Sequence, residues 1–105
     1  LNFVNKGKLT LDDLVRLICK NPCKIYGIKN KGEIKLNYDA DLTVIDLEKK
    51  YEITDNWIAS KSGWTPYDNL EVKGMPLITI VNGKVVMRDN EIINESCGEK
   101  VEFIY

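Results

Sequence analysis

Histidine is absent from this sequence of 105 residues. Without it the chain cannot assemble a Ser–His or Cys–His catalytic pair, or a metal site with imidazole ligands. Carboxylate chemistry stays open in principle. The sixteen acidic residues, however, fall mostly at expected caps, turns and polar strand faces, where solvation explains them. The composition therefore argues against a catalytic site within this chain.

Cysteine is scarce and odd in number, with three residues at positions 19, 23 and 97. An odd count makes no disulfide framework and favours a reducing compartment, so we expect a cytoplasmic protein. Cys19 and Cys23 stand four apart, but Asn21-Pro22 lies between them and is expected to break the helix. A zinc site would need further ligands, with Cys97 as the one remaining cysteine. We interpret all three as ordinary reduced cysteines.

The sequence also has no excess of either charge and no long apolar run. Fifteen basic and sixteen acidic residues give a net charge of -1, and no apolar stretch approaches the ~20 residues of a membrane span. We therefore expect neither nucleic acid nor a membrane as a partner. No signal peptide or glycine-rich phosphate loop is present. The length suits one domain, and the first residue, Leu rather than Met, leads us to expect a longer natural polypeptide.

The clearest structural signal lies in residues 77–93. Asn82-Gly83 is typical of a type I′ hairpin turn. This turn pairs Val81 with Lys84, Ile80 with Val85, Thr79 with Val86 and Ile78 with Met87. Four apolar residues then share one face, which we expect to be buried: Ile78, Ile80, Val85 and Met87. A second turn at Asp89-Asn90 sets Arg88 opposite Glu91 and Ile92 beside Met87, which predicts a three-stranded meander.

The first part of the chain has a helical pattern. Thr10 is a predicted N-cap, followed by two acidic residues that favour a helix N-terminus. The spacing of the apolar residues predicts one buried stripe: Leu11, Leu14, Val15 and Ile18. Asn21 is expected to cap a second short helix with Pro22 at its first position, and Gly27 to end it. Ile25 and Tyr26 are expected to pack against the same core.

The pattern then becomes extended. We expect a short strand over residues 32–36, with Ile34 and Leu36 on one face, and then a turn in which Asn37 takes a left-handed conformation. Residues 40–47 form a second predicted strand, rich in β-branched side chains. Asp41 and Asp46 bracket it, and backbone capping explains them better than catalysis does.

The rest of the chain predicts further β structure. Residues 48–53 lead into another extended segment with Tyr51 and Ile53, and residues 54–56 open a short helical turn carrying Trp57 and Ile58. In the loop 60–67, we expect Trp64 and Tyr67 to cover a core edge, with a ligand platform as the alternative. The tail 101–105 is a final strand or lies along a neighbouring surface. The fold class is thus mainly β, with six or seven strands after a short N-terminal helical part.

Three stretches also carry a family resemblance. Residues 9–27 end in Asn-Pro-Cys-Lys-Ile-Tyr-Gly, and residues 31–46 combine Lys-Gly-Glu-Ile with Ala-Asp-Leu. Residues 60–86 contain Ser-Lys-Ser-Gly-Trp-Thr-Pro-Tyr, Lys-Gly-Met-Pro and Thr-Ile-Val-Asn-Gly-Lys-Val-Val. Together they resemble the C-terminal end of a dihydroorotase, within the dihydroorotase, allantoinase and hydantoinase group of the amidohydrolase superfamily. Cys23 stands where the family usually has Ala, and Asn37 where it usually has Gly.

The resemblance implies an intact enzyme with a (β/α)₈ barrel and an auxiliary β-sandwich built from both termini. One or two zinc ions would activate a hydroxide that interconverts dihydroorotate and N-carbamoyl-aspartate in pyrimidine biosynthesis. Residues 1–28 would be the terminal helical segment of the barrel domain, and residues 29–105 a portion of the β-sandwich. The family's metal ligands and substrate contacts lie upstream of the resembling region, so this chain contributes no catalytic, cofactor-binding or metal-binding residue.

The same resemblance predicts that the isolated chain is inactive and needs the missing N-terminal and barrel part of its own enzyme. Its unpaired strand edges are expected to promote self-association, and the intact enzyme is expected to be a homo-oligomer acting on a small molecule. Two alternatives remain open. The chain could be the C-terminal part of an allantoinase or hydantoinase, or a free-standing, non-catalytic β module that binds a protein partner.

Overall fold

A helical part precedes an antiparallel sheet in the computed structural model, which describes residues 1–93 and 97–104. The elements in chain order are α1 (Asn2–Asn5), α2 (Leu11–Val15), a π-helical turn (Arg16–Lys20), α3 (Asn21–Tyr26), β1 (Leu42–Ile53), a 3-10 helix (Asp55–Trp57), β2 (Leu70–Val81), β3 (Lys84–Arg88) and β4 (Glu91–Ile92). The strands form one sheet in the order β1-β2-β3-β4. Over the described ranges, the prediction of six or seven strands is therefore wrong. Within those ranges, no helix has the length and apolar character that a membrane span requires.

The N-terminus of α2 follows the prediction. The hydroxyl oxygen of Thr10 accepts a hydrogen bond from the amide of Asp13 at 3.0 Å, and an Asp13 carboxylate oxygen accepts from the Thr10 amide at 3.3 Å. This reciprocal capping box satisfies amide groups that the first helical turn leaves unpaired. Arg16 also donates to Asp13 at 2.8 Å, and this bond is the main cause that lowers the pKa of that carboxyl.

The predicted helix break at Asn21-Pro22 is wrong. The backbone stays helical through Asn21, and the widened π-helical turn lies immediately before it. Proline has no N–H to donate to the preceding turn, and a π turn changes the hydrogen-bond register locally, so the helix continues past Pro22 without a break. As predicted, Gly27 ends the helix in a left-handed conformation with φ of +63°.

The apolar stripe of the helical part is not buried in this chain, contrary to the prediction. Three of its four residues are exposed, namely Leu11, Val15 and Ile18, and the predicted core residues Ile25 and Tyr26 are exposed as well. The spacing is that of an amphipathic helix, but nothing in the described chain covers the apolar side. Among the described residues, Met75 is the one buried apolar side chain, with 2% exposed.

The predicted strand over residues 32–36 does not form. Ile34 and Leu36 are 88% and 90% exposed, and no strand is assigned there. A strand needs a neighbour for its backbone groups, and the described chain supplies none at this position. The following turn forms as predicted, with Asn37 in the left-handed region at φ of +67°.

The two extended segments predicted for residues 40–53 form a single strand, β1, which pairs with β2. The ladder is irregular between Asp46 and Lys50, opposite Gly74. One Asp46 carboxylate oxygen accepts hydrogen bonds from the amides of Glu48 at 2.8 Å and Lys49 at 3.1 Å. The predicted backbone-capping role of Asp46 is thus confirmed, at an irregularity within the strand.

The predicted meander is confirmed in its two turns and corrected in its register. Val81 pairs with Lys84 and Ile80 with Val85 across the Asn82-Gly83 turn, and Arg88–Glu91 and Met87–Ile92 pair across the second turn. Between the turns, Thr79 lies opposite Met87 and Ile78 opposite Arg88, one residue beyond the predicted partners. Val86 is the extra residue of a β-bulge, so Met87 does not stand opposite Ile78.

Two contacts join α1 and the residue before it to β2. The side-chain amide of Asn5 donates to the carbonyl of Lys73 at 2.7 Å, and Leu1 lies against Gly74, which has a φ of +100°. The tail, predicted as a final strand or a surface segment, pairs with the chain after α3 through an Ile28–Phe103 bridge. Tyr105, the last residue of that predicted segment, lies outside the described residues.

Candidate functional site

The three cysteines do not converge. Cys19 and Cys23 lie on the helical segment beneath Gly32, where an added Cβ would come within 2.7 Å of the Cys23 sulfur. Cys97 lies near the hairpin turn, and its carbonyl oxygen accepts from the Asn82 side-chain amide at 2.8 Å. Across residues 1–93 and 97–104, no group of three or more potential metal ligands is assembled. The described cysteines therefore do not form a common site, and the absence of metal ligands from this chain stays a prediction.

Asp41 lies in a cluster of charged side chains with Lys31 and Asp39. One carboxylate oxygen accepts from the Asn82 amide at 2.8 Å, which confirms the predicted backbone-capping role. The other is paired with the Lys31 ammonium group, which also contacts Asp39 at 2.9 Å. Lys31 is the main cause that lowers the pKa of Asp41, and Asp41 is the main cause that raises the pKa of Lys31. Both shifts favour the charged forms, so the two side chains form an ion pair at neutral pH.

The loop of residues 60–67 exposes its aromatic side chains. Trp64 and Tyr67 are 61% and 59% exposed, so the prediction that they cover a core edge of this chain is wrong. The base of the loop is fixed by Asp55, whose carboxylate accepts from the Thr65 amide at 2.8 Å and whose amide donates to Asp68 at 2.9 Å. The cavities formed by residues 29–31, 39 and 99–103 lie elsewhere, and neither is lined by Trp64 or Tyr67. Exposed aromatic residues on a fixed loop are typical of a contact surface.

The main candidates for a functional site are therefore exposed apolar side chains that could dock a partner. They occur in the helical stripe, at Ile34 and Leu36, in the aromatic loop and on β1. A monomeric soluble protein seldom exposes so many large apolar side chains around so small a core. The sequence indicated each of these apolar residues, and the family resemblance predicted that the rest of the enzyme is missing from the chain. The apolar spacing alone did not show which side chains this leaves uncovered.

The known proteins that this chain resembles explain the missing partner. Residues 1–86 match the model of the amidohydrolase family. Over 101 residues the chain is 45% identical to the dihydroorotase of Pyrococcus furiosus, an alignment that covers 96% of this chain and 24% of that protein. It is 37% identical over 95 residues to the L-hydantoinase of Paenarthrobacter aurescens, covering 90% of this chain and 21% of that protein.

Solved structures give the same result. The structure of L-hydantoinase (dihydropyrimidinase) from Arthrobacter aurescens superposes with a TM-score of 0.81 at 36% identity, covering 90% of this chain and 21% of that chain. A D-hydantoinase structure also superposes with a TM-score of 0.81, at 28% identity. The chain spans about a quarter of the length of the curated dihydroorotases that it matches. With a family model matched over most of its length, the chain belongs to the amidohydrolase family.

Proposed function

We propose that this chain is the C-terminal part of a dihydroorotase, the zinc-dependent enzyme that interconverts dihydroorotate and N-carbamoyl-aspartate in pyrimidine biosynthesis. The observation that carries the proposal is the 45% identity to the Pyrococcus furiosus dihydroorotase across 96% of the chain. Dihydroorotases of Pyrococcus horikoshii and Pyrococcus abyssi match over the same length at 44% and 40% identity.

Within that enzyme the chain has a structural role. Residues 1–28 are the terminal helical segment of the barrel domain, and residues 29–105 are a portion of the auxiliary β-sandwich. The exposed apolar stripe of α2 and the aromatic loop support this assignment, because each is a contact surface without a partner in the described chain. In this proposal, zinc and the cyclic substrate are held by residues outside these 105, as the family resemblance implies, and the absence of histidine from the chain agrees with it.

The same proposal fixes the partners of the chain. Its main partner is the remainder of its own polypeptide, and the intact enzyme is a cytoplasmic homo-oligomer that acts on a small molecule. Neither nucleic acid nor a membrane is a partner. The near-balanced charge, -1 in total, supports the absence of an electrostatic nucleic-acid surface.

A hydantoinase is the second candidate. It is supported by the 37% identity to an L-hydantoinase and by the TM-scores of the hydantoinase structures. Dihydroorotase is favoured because the identity to dihydroorotases reaches 45% over a longer stretch. Residues of the barrel decide the substrate, so the two candidates differ outside this chain.

The test is to express the complete reading frame that contains this sequence and to measure turnover by liquid chromatography. We expect kcat/KM for dihydroorotate to exceed that for hydantoin and allantoin by at least about 100-fold, a ratio that differential binding in a substrate pocket can supply. A preference for hydantoins would replace the proposal with the second candidate. A reading frame no longer than this chain, with no turnover, would leave a free-standing β module.

A chimera tests the structural role separately. The aligned part of the Pyrococcus furiosus dihydroorotase is replaced by this chain, and the unmodified enzyme is the control. We expect kcat/KM within about tenfold of the control, because the segment supplies no reacting group. A folded chimera that has lost activity by more than about a thousandfold would show that the replaced segment contributes to catalysis.

A further inference from the structure

The Asn82-Gly83 turn has a chemical reactivity in addition to its structural role in the hairpin. It is the one Asn-Gly pair in the sequence. The backbone nitrogen of the residue that follows an asparagine can attack the carbon of the asparagine side-chain amide. Glycine hinders this attack least, because it has no Cβ and its backbone is the most permissive. The sequence therefore places its most favourable position for spontaneous deamidation at this turn.

Three hydrogen bonds hold this pair in the folded chain. The backbone amide of Gly83 donates to the carbonyl of Ala40 at 3.0 Å. The backbone amide of Asn82 donates to a carboxylate oxygen of Asp41 at 2.8 Å. The side-chain amide of Asn82 donates to the carbonyl of Cys97, also at 2.8 Å. The attacking nitrogen and the amide group that it would attack are thus both engaged by other parts of the chain.

The hydrogen bond from the Asn82 side chain fixes the start of the C-terminal tail. Asn82 and Cys97 are both half-buried. A carboxylate accepts hydrogen bonds and has none to donate, so an aspartate at position 82 would face the Cys97 carbonyl without a donor between them. The new charge would also lie near the carboxylate of Asp41, and like charges repel. Deamidation therefore removes the hydrogen bond that fixes the tail to the hairpin.

We propose that Asn82 is a deamidation site that the fold protects, and that its deamidation detaches the start of the tail from the hairpin. The Gly83 nitrogen gives its proton to the solvent and forms a bond to Cγ of Asn82. The bond from Cγ to the side-chain nitrogen breaks, and that nitrogen takes up a proton and leaves as ammonia. Water then opens the succinimide ring at either C–N bond, giving aspartate or isoaspartate. The net reaction converts an amide and water into a carboxylic acid and ammonia.

Peptide mass spectrometry of the complete protein tests the protection. The protein is incubated in its folded state and in urea, and the conversion of Asn82 is followed over time. We expect the folded protein to react at least about tenfold more slowly, because the attack requires a local opening that breaks the hydrogen bonds of the turn. Equal rates in the two states, or no conversion in urea, would overturn the inference.

A pair of matched substitutions tests whether the hydrogen bonds of the turn provide the protection. D41A removes the acceptor of the Asn82 amide, whereas D46A removes a carboxylate of β1 that accepts from the amides of Glu48 and Lys49. Circular dichroism establishes that both variants are folded. We expect D41A to raise the folded-state rate at least about threefold and D46A to change it by less than about half. Equal rates in the two variants would contradict the proposed protection.

Limited proteolysis measures the effect on the tail. N82D reproduces the product of deamidation, and N90D makes the same change at the exposed residue of the second turn. We expect trypsin to cleave after Lys100 at least about threefold faster in N82D than in the wild type, with N90D unchanged. Cleavage after Lys61, in the exposed loop, is the reference within the same molecule. An unchanged cleavage rate after Lys100 in N82D would overturn the proposed detachment of the tail.

Discussion

The carbonyl oxygen of Gly27 accepts a 2.6 Å hydrogen bond from the amide of Ile104. Lys29 extends this short ladder by donating its amide to the carbonyl of Glu102 at 3.0 Å. A Cβ on Gly27 would lie 2.8 Å from the Ile104 carbonyl oxygen. The end of α3 and the C-terminal tail therefore approach each other backbone to backbone, at a position that accommodates only glycine.

Substitution G27A should loosen this contact. Alanine in the left-handed region costs about 1 kcal/mol, and the clash with the tail adds about 1–2 kcal/mol. The control is G63A, which has nearly the same φ, +66° against +63°, and no atom within 4 Å of the added Cβ. Urea denaturation of the complete protein measures the loss of unfolding free energy in each of the two variants. Equal losses of unfolding free energy would show that the tail contact contributes nothing.

Substitution T10A should remove the side-chain half of the capping box at α2. The amide of Asp13 then loses its hydroxyl acceptor at 3.0 Å. We expect a loss of about 1 kcal/mol in unfolding free energy, measured by urea denaturation, with T10S close to the wild type because it keeps the hydroxyl. A T10S variant as unstable as T10A would show that the threonine methyl group, rather than the hydroxyl cap, accounts for the lost unfolding free energy.

Stability should depend on pH through Asp41. Lys31 first, and the Asn82 amide second, hold the pKa of Asp41 below its usual value in the folded chain. Its contribution is therefore fully present above the unfolded pKa of about 4 and is lost as the pH falls through the lower folded value. We expect the Tm difference between wild type and D41N to shrink below about pH 4. A difference that is constant from pH 7 to strongly acidic pH would contradict this linkage.

The contribution of Lys31 to stability depends on pH at the alkaline end of the scale, whereas that of Asp41 depends on pH at the acidic end. Its pKa is raised by Asp41 first and Asp39 second, so its contribution is present below the unfolded pKa of about 10.4 and is lost as the pH rises through the folded value. We expect K31M, which keeps the apolar stem, to reduce the Tm near neutral pH and to match the wild type at strongly alkaline pH. The matched control is K24M, which removes an exposed lysine of α3.

The metal content of the complete protein should not depend on the cysteines of this segment. Cys19 and Cys23 lie under Gly32, whereas Cys97 lies beside Asn82, so they share no site. We expect the triple variant C19A/C23A/C97A to bind as much zinc per subunit as the wild type, measured by mass spectrometry of the metals. Loss of one zinc equivalent from a folded variant would show that the segment supplies a ligand.

The local features of this protein followed from the sequence because they depend on neighbouring residues. Thr10 caps α2, Gly27 ends α3 and the Asn82-Gly83 turn sets the first pairs of the hairpin, each through contacts within a few residues. The family was recognisable for a similar reason, since motifs such as Asn-Pro-Cys-Lys-Ile-Tyr-Gly stay intact in a short segment.

Only the tertiary structure decided which of the predicted strands form and which apolar faces are covered. Residues 32–36 have the composition of a strand but no neighbour, and the apolar stripe of α2 has no covering layer in the described chain. The bulge at Val86 and the continuous helix through Pro22 likewise depend on hydrogen bonds that a periodic pattern does not reveal. The sequence by itself determined turns, caps and amphipathic faces, since these are local. Burial and strand pairing require a second surface, and only the three-dimensional arrangement shows whether that surface is present.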